Sequence, residues 1–475
     1  MFKLRISYLA VTVALLSSCA AVGPNYQRPA VVIPAQYGSA EADQAKFVIA
    51  KDWWTLYQDS ALNDLIAKAL QNNTDIKRSV ARIEEADGFA REVGAALFPQ
   101  VDLDGSSAHS RVSTVGANPV TSAVRNNYRV ALGTSFEIDF WGKLRRAKES
   151  ARAKALATRY AKDTVSLSLS SLIASNYLQL RSLEAQIVLS RDNLRSRDES
   201  LSLTQRRLKG GVASNLDVQQ AQVSSSNLTA QIVELVRQRE ITLHQLALLT
   251  GDLGLNLSAN DSNSGIKNLP VPPTPPAGLP SALLENRPDV AQAEQDLVAA
   301  NAKIGVAKAA LYPTISLTGF LGGESMQLGD ILKSAARIWS GGLSLSLPIF
   351  DSGRLNSRID QVTSQQKQVL ANYEGAVQTA FTEVNDALVN VRQNTERETA
   401  LDKSQQAAKE VLRISENRYK SGYTAYLDVL DAQRVYNDAA LNFIQSRQAR
   451  LAATVGLFKA LGGGWQAADI NATIQ

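Results

Sequence analysis

A chain of 475 residues exceeds one ordinary domain, and 45% hydrophobic residues, 20% charged residues and 14 prolines describe an ordered protein, not a disordered one. The formal net charge is +5. Discounting Lys3 and Arg5, which sit in a removable leader, leaves about +3, too little to argue for nucleic acid as a partner.

The leader comes first. Lys3 and Arg5 precede an apolar run, Ile6 to Leu16, that is too short to span a bilayer as a helix. It ends in Leu16-Ser17-Ser18-Cys19, the small-residue pattern of a bacterial lipobox, in which the cysteine is lipidated and becomes the first mature residue. An ordinary signal peptide with an incidental cysteine is the alternative. Cys19 is the only cysteine, so a disulfide framework is excluded. Ala20 and Ala21 follow it without an aspartate, which is compatible with sorting to the outer membrane. No later apolar run is long enough for a transmembrane helix, so further membrane contact falls to β-strands.

Residues 1–18 therefore read as a signal peptide and 19–60 as an extended, lipid-anchored strap broken by Gly23-Pro24, Pro29 and Pro34. Leu62 to Ala96 has helical period, with Leu62, Leu65, Ile66, Ala69 and Leu70 on one face. The period then switches to two. Val101 and Leu103 alternate with Gln100, Asp102 and Asp104 in a strand starting near Phe98. Tyr128, Val130, Leu132, Phe136, Ile138 and Phe140 alternate with Arg129, Ala131, Gly133, Ser135, Glu137 and Asp139. Two more such strands follow around Ile315–Leu321 and Trp339–Ile349. An apolar face opposite a small polar one fits a barrel wall between lipid and water. A soluble sheet with one buried face has the same alternation. Phe98, Phe140, Tyr312 and Phe350 bound the four strands at one end, where they predict an interfacial aromatic ring on the side of the helices. Four strands cannot close a barrel and open edges are not tolerated in lipid, so other chains must complete it.

A proline-free helical segment runs from Trp141-Gly142 to about Lys209, with Ile173, Leu180, Ile187, Leu194, Leu201 and Leu208 recurring every seven residues as a coiled-coil seam. Val384, Val391, Leu412 and Tyr419 repeat it 211 residues later, with Glu398 and Gln405 as polar interruptions. Each such helix predicts a span on the order of 100 Å, far beyond a membrane. The helices lead into a duplicated stretch, Arg206–Gln222 and Asn417–Gln433. In it Arg207, Lys209, Gly211, Leu216, Asp217, Val218, Ala221 and Gln222 recur at Arg418, Lys420, Gly422, Leu427, Asp428, Val429, Ala432 and Gln433. A glycine breaks the helix and Leu-Asp-Val starts the next, which is the pattern of a hairpin tip. Returning helices are predicted over Leu216–Leu249 and Leu427–Leu461. The chain thus divides into a first repeat, 61–268, a proline-rich linker, 269–280, a second repeat, 281–464, and a tail, 465–475. Each repeat is a helix, a β-hairpin and a long helical hairpin.

His109 falls in an expected loop and His244 in a helix, and there is no zinc-ligand cluster and no phosphate-cradling Gly-Lys-Ser/Thr loop. No catalytic residue, metal ligand or cofactor site is expected.

The lipobox, the Gly23-Pro24-Asn25-Tyr26 strap, the duplicated halves and the tip run Arg418–Gln433 together resemble the outer membrane factors of the TolC superfamily, in the OprM-like, NodT-type lipoprotein branch. The resemblance covers essentially the whole mature chain. It implies a mainly α protein with a membrane β part: a homotrimer whose four strands per chain make a twelve-stranded transmembrane barrel above a long α-helical barrel. It further implies a Gram-negative outer membrane protein that serves a tripartite efflux pump as a passive duct for small amphiphilic compounds. A periplasmic adaptor and an inner-membrane pump, usually of the resistance-nodulation-division type, would load it. Adaptor hairpins would dock at the tips, around Gly211, Leu216 and Asp217 and around Gly422 and Leu427. Asp428 and Asp431 occupy the positions of the family's periplasmic gate, where three copies of a carboxylate would repel and could bind cations. Gln220 stands where the second tip has Asp431, so the tips are unequal in charge. Asp217 and Asp428 also suit a helix start without any gating role. A type I secretion duct and a channel-free structural envelope lipoprotein are the competing functions.

Overall fold

The computed structural model describes residues 21–34, 37, 50–113, 115, 123–257, 270–272 and 286–465. The signal peptide and Cys19 lie outside the described residues, as do most of the linker and all of the tail except Trp465. In chain order the elements are α1 (Ser60–Asn72), α2 (Thr74–Ala95), β1 (Gln100–Arg111), β2 (Val124–Ile138), α3 (Lys143–Lys209), α4 (Asn215–Thr250), α5 (Pro288–Ala309), β3 (Thr314–Ser325), β4 (Arg337–Ser346), α6 (Arg354–Lys420) and α7 (Tyr426–Ala460). Among the described residues no helix is long and apolar enough to cross a membrane.

The two long helices, α3 and α6, are 67 residues each, about 100 Å of helix apiece. They and the tips keep the offset of 211. The segments before them do not: Phe98 answers to Tyr312, and Thr74, which opens α2, to Pro288, which opens α5, three residues further apart. The expected helix from Leu62 to Ala96 is two helices. Asn73 has an extended backbone, its Oδ1 accepts from the Asp75 N–H at 2.8 Å to start α2, and its Nδ2 donates to the Leu249 carbonyl at 2.8 Å. An asparagine that caps the next helix is a better partner for those N–H groups than a continued helix can offer.

The chain forms two compact units that do not coincide with the two repeats. One comprises Met1–Ala30, Arg82–Arg159 and Gln292–Glu374, and the other Val31–Ala81, Tyr160–Ala291 and Gly375–Gln475. Each draws on both halves of the sequence: β2 pairs with β3 in the first, and α3 packs on α7 in the second.

In the first unit the four strands make one antiparallel sheet in the order β1-β2-β3-β4, and the β2–β3 pairing joins the two halves. The strand ends differ from expectation. Phe140 lies beyond the end of β2, and β4 stops at Ser346, short of Ile349, because Pro348 has no N–H to give a ladder. His109, expected in a loop, is in β1, where its Nδ1 and Asn126 Oδ1 are 2.7 Å apart. The strap is held residue by residue. The Val22 N–H donates to the Trp141 carbonyl at 2.9 Å, and Arg146 donates to Asn25 Oδ1 at 2.6 Å. Asn301 donates to the Pro24 carbonyl at 2.9 Å, and Tyr26 and Arg28 both donate to Glu294. Gly23, at φ +99°, lies against Gly305, and a Cβ on Gly23 would sit 2.5 Å from the Gly305 Cα. Two facing glycines are what lets the strap lie this close.

In the second unit the core gathers Trp53, Tyr57, Leu62, Leu65 and Ile66 against Ile173, Tyr177, Leu178 and Leu180 of α3 and Ile444, Leu451, Val455 and Phe458 of α7. Trp53 stacks on Phe458 with centroids 5.5 Å apart. The end of the expected irregular strap is therefore a 3-10 turn, Trp53–Tyr57, buried as an anchor for α1. Asp59 caps α1, accepting from the Ala61 N–H, and also accepts from the Tyr177 hydroxyl at 2.6 Å. The seam residues Ile173, Leu180 and Ile187 are buried, and burial fades along α3 until Leu208 is exposed. In α6 the polar seam residue Glu398 is buried as well, flanked by Arg447 and Arg450 of α7, each 3.0 Å away.

Candidate functional site: an exposed apolar sheet face and two unequal tips

Directly opposite residues of an antiparallel sheet share a face, so the register assigns every strand residue to a side. One row runs Leu103–Leu132–Leu321–Trp339 across all four strands, and a second runs Phe136–Leu317–Leu343. These side chains are not covered by the chain: Leu103 is 70% exposed, Trp339 78% and Leu343 68%. A soluble sheet would bury such a face against a second layer, so the competing soluble reading fails here. The opposite face carries Asp102, Asp104, Arg125, Arg129, Ser135, Glu137, Thr318, Glu324 and Ser340. Arg129 lies over the Phe320 ring at 4.4 Å. β1 and β4 are free edges of this sheet.

Phe98, Phe140, Tyr312 and Phe350 all sit just past strand termini at the end of the sheet where the helices leave. Trp141, which the sequence reading did not single out, joins two of them. It meets Phe140 edge-on at 4.8 Å, stacks on Tyr312 at 4.6 Å and donates from Nε1 to the Pro313 carbonyl at 2.8 Å. Phe98 and Phe350 are exposed.

At both tips the helix ends in the same way. Gly211 and Gly422 have φ of +75° and +81°. The Val212 N–H reaches back to the Arg207 carbonyl and the Tyr423 N–H to the Arg418 carbonyl, both at 2.9 Å. A left-handed residue at this position is glycine's task. The next helix starts differently in each copy. Ser214 and Asp217 form a reciprocal capping box, with bonds of 3.1 and 3.0 Å. The second tip has Ala425 at the cap, and Asp428 instead accepts from the Thr424 hydroxyl. Arg207 lies over the Tyr419 ring at 4.6 Å, and Tyr419 meets Tyr426 at 5.3 Å, so the two tips are joined to each other. Burial, and after it the neighbouring Tyr419, pushes the Tyr426 phenol up to about 12. Leu216, Leu427 and Tyr423 project into solvent.

Asp431 lines a groove of about 740 Å³ between the start of α4 and the start of α7, together with Gln220, Leu427, Arg197 and Arg434. Its Oδ1 accepts from Arg434 at 2.8 Å, an exposed pair three residues apart on one helix turn. Arg434 is not among the residues expected at the gate, although its i, i+3 spacing from Asp431 is visible in the sequence. Arg197 donates to the Ser224 carbonyl at 2.9 Å, and burial lowers its pKa. The expected inequality of the tips is therefore concrete: Gln220 and Asp431 face one groove, one neutral and one charged.

The outer membrane efflux protein pattern matches this chain twice, over residues 65–252 and 279–463. The chain belongs to the outer membrane efflux protein family. CusC, a cation efflux system protein of Escherichia coli, is 32% identical over 468 residues, covering 96% of this chain and 98% of its own. TtgC, a toluene efflux pump outer membrane protein of Pseudomonas putida, is 33% identical over 463 residues, covering 96% and 95%. The solved outer-membrane channel OprN superposes with a TM-score of 0.86 at 29% identity, covering 94% of this chain and all of that one. This outer membrane efflux protein is thus the outer-membrane channel of an efflux pump, built as TolC-like channels are. Its family works as homotrimers with an adaptor and an inner-membrane transporter. The exposed apolar face is then the lipid face of a shared barrel.

Proposed function

We propose that this outer membrane efflux protein is a passive exit duct for small amphiphilic compounds, anchored by a lipid on Cys19 and loaded by a resistance-nodulation-division pump through a periplasmic adaptor. The observation that carries the duct is the sheet itself: an uncovered apolar face, a polar opposite face and two free edges. Such a sheet is stable in a bilayer only when copies of it close on one another. Relatives named for cations and for toluene are nearly equally similar to this chain, which supports a duct whose cargo is chosen by the pump.

Exposed Leu216, Leu427 and Tyr423 at rigid, glycine-ended turns suit the docking of adaptor hairpins. Phe98, Phe140, Tyr312 and Phe350 suit an aromatic girdle at the periplasmic interface. Asp431, and Asp428 one turn before it, suit a gate: three copies of each around one axis concentrate negative charge at the entrance. Arg434 offsets part of that charge.

The test is single-channel conductance of the purified trimer in planar bilayers. Wild type is expected to conduct, and Asp431→Ala to conduct more, by no more than about two-fold because Arg434 already screens the carboxylate. Equal conductance at matched insertion would remove Asp431 from the gate. A wild type that never conducts would remove the duct.

A further inference from the structure

The connection between β3 and β4, residues 326–336, folds back onto the sheet. It contains two single 3-10 turns, Leu328–Asp330 and Ser334–Ala336, and is braced by an ion pair of Lys333 with Asp330 at 2.6 Å. Its contact with the sheet is at Gly323, where a Cβ would collide with the Ile331 carbonyl oxygen, a backbone atom. Only glycine leaves room for so close an approach. By register Gly323 stands opposite Val130 and Arg337, two residues beyond Leu321, so it belongs to the apolar face. The loop therefore rests on the side of the sheet that meets lipid.

Its depth follows from the strand. From Tyr312 at the inner girdle to Leu321 the chain advances roughly 30 Å at about 3.4 Å per residue. At the usual tilt that is roughly 23 Å of height, close to the ~25 Å apolar band of an outer-membrane barrel. Leu321 shares its rung with Trp339, an exposed aromatic residue where an outer girdle belongs. Gly323 is one step further out, which puts the loop at the boundary of headgroups and acyl chains.

The loop's residues suit that level. Met326, Leu328 and Leu332 are exposed, Leu332 at 91%. Lys333 and Arg337 are exposed beside them, and long cationic side chains can lay their stems on apolar matter while the charge stays among headgroups. Interfacial segments combine these two kinds of side chain.

We propose that the β3–β4 loop is a lipid-seated foot, with Leu328 and Leu332 entering the acyl chains of the outer leaflet at the rim of each copy. Continuity argues for lipid over a protein partner: the loop lies on the lipid face itself, next to the rung of Leu321 and Trp339. The foot rests on the duct reading, which supplies the bilayer on that side.

The experiment uses full-chain trimers in phosphatidylcholine vesicles, each variant carrying one added cysteine labelled with the polarity-sensitive fluorophore NBD. The positions are Leu328→Cys and Leu332→Cys in the loop, Leu343→Cys on the lipid face and Ser340→Cys on the polar face. The parent protein, taken through the same labelling, is the blank. Labels at Leu328 and Leu332 are expected to emit at shorter wavelength than the label at Ser340. They should lose emission, as the label at Leu343 does, when the lipid is brominated near the glycerol end of its chains. Gly323→Val, which fills the place of the Ile331 carbonyl, should abolish quenching at Leu332 and leave it at Leu343. Loop labels that read like Ser340 overturn the foot. Blue-shifted loop labels without quenching mean that a neighbouring copy covers the loop, which overturns lipid as its partner. Quenching at Leu332 that survives Gly323→Val overturns the fold-back as what seats it. The label at Leu343 separates the two readings. Quenched there and aqueous in the loop, the foot alone fails; unquenched at Leu343, the lipid face and the duct fail with it.

Discussion

Glu398 shows how one residue can break a pattern and still be satisfied. It occupies a coiled-coil seam position where its counterpart, Ile187, is apolar, yet it is buried. A lone carboxylate there would be expensive to desolvate. Arg447 and Arg450 make it tolerable, each at 3.0 Å and each mostly shielded from solvent. Glu398→Gln keeps the shape and removes the charge, leaving two guanidinium groups facing each other. A loss of about 2 kcal/mol is expected, below the full value for a buried pair because the arginines retain some solvent. Chemical denaturation of the trimer measures it, and an unchanged midpoint would mean that the pair contributes nothing net.

Among elements, the tips combine a repeated shape with unrepeated chemistry. Both helices end on a left-handed glycine with the same backbone bonds, so the turn is specified locally and in duplicate. What joins the two turns is not repeated: Arg207 recurs as Arg418, but the Tyr419 ring it lies over and the Tyr426 ring beside that have Leu208 and Asn215 as counterparts in the other copy. Burial raises the Tyr426 pKa from 10.0 to about 12. A folded-state value above the unfolded one means that this residue's contribution is complete below about pH 10 and is lost as the pH climbs through about 12. Phenolate absorbance measured against pH is expected to show one fewer late-ionising tyrosine in Tyr426→Phe. An unchanged late population would place the phenol in solvent.

For the whole molecule, membrane attachment has two proposed parts, the sheet and the lipid on Cys19, and they are separable. The sheet's apolar face is large and continuous, enough to hold a closed barrel in a bilayer without help. Cys19→Ser is therefore expected to abolish lipid labelling while leaving the trimer in the outer membrane. Mass spectrometry of the mature N-terminus checks the first half and membrane fractionation the second. A wild-type N-terminus without lipid would return the segment to an ordinary signal peptide.

Local physics made much of this protein legible from its residues. The seven-residue spacing from Ile173 onward, the period of two around Leu132 and the duplicated glycine-ended tips are all short-range patterns. A single chain's residues were enough to require other chains, because four strands with an apolar face leave edges that lipid cannot satisfy. What tertiary structure decided is long-range. Asn73 divides a seemingly continuous helix because a carbonyl at Leu249 awaits its side chain. Trp53 belongs to the core because Phe458, some four hundred residues away, stacks on it. The strap's Gly23 owes its place to Gly305. The register of β2 on β3, which joins the halves and fixes which side each arginine faces, depends on pairing between segments nearly two hundred residues apart. Periodicity says which residues share a face; only the partner across the sheet or the core says what that face meets.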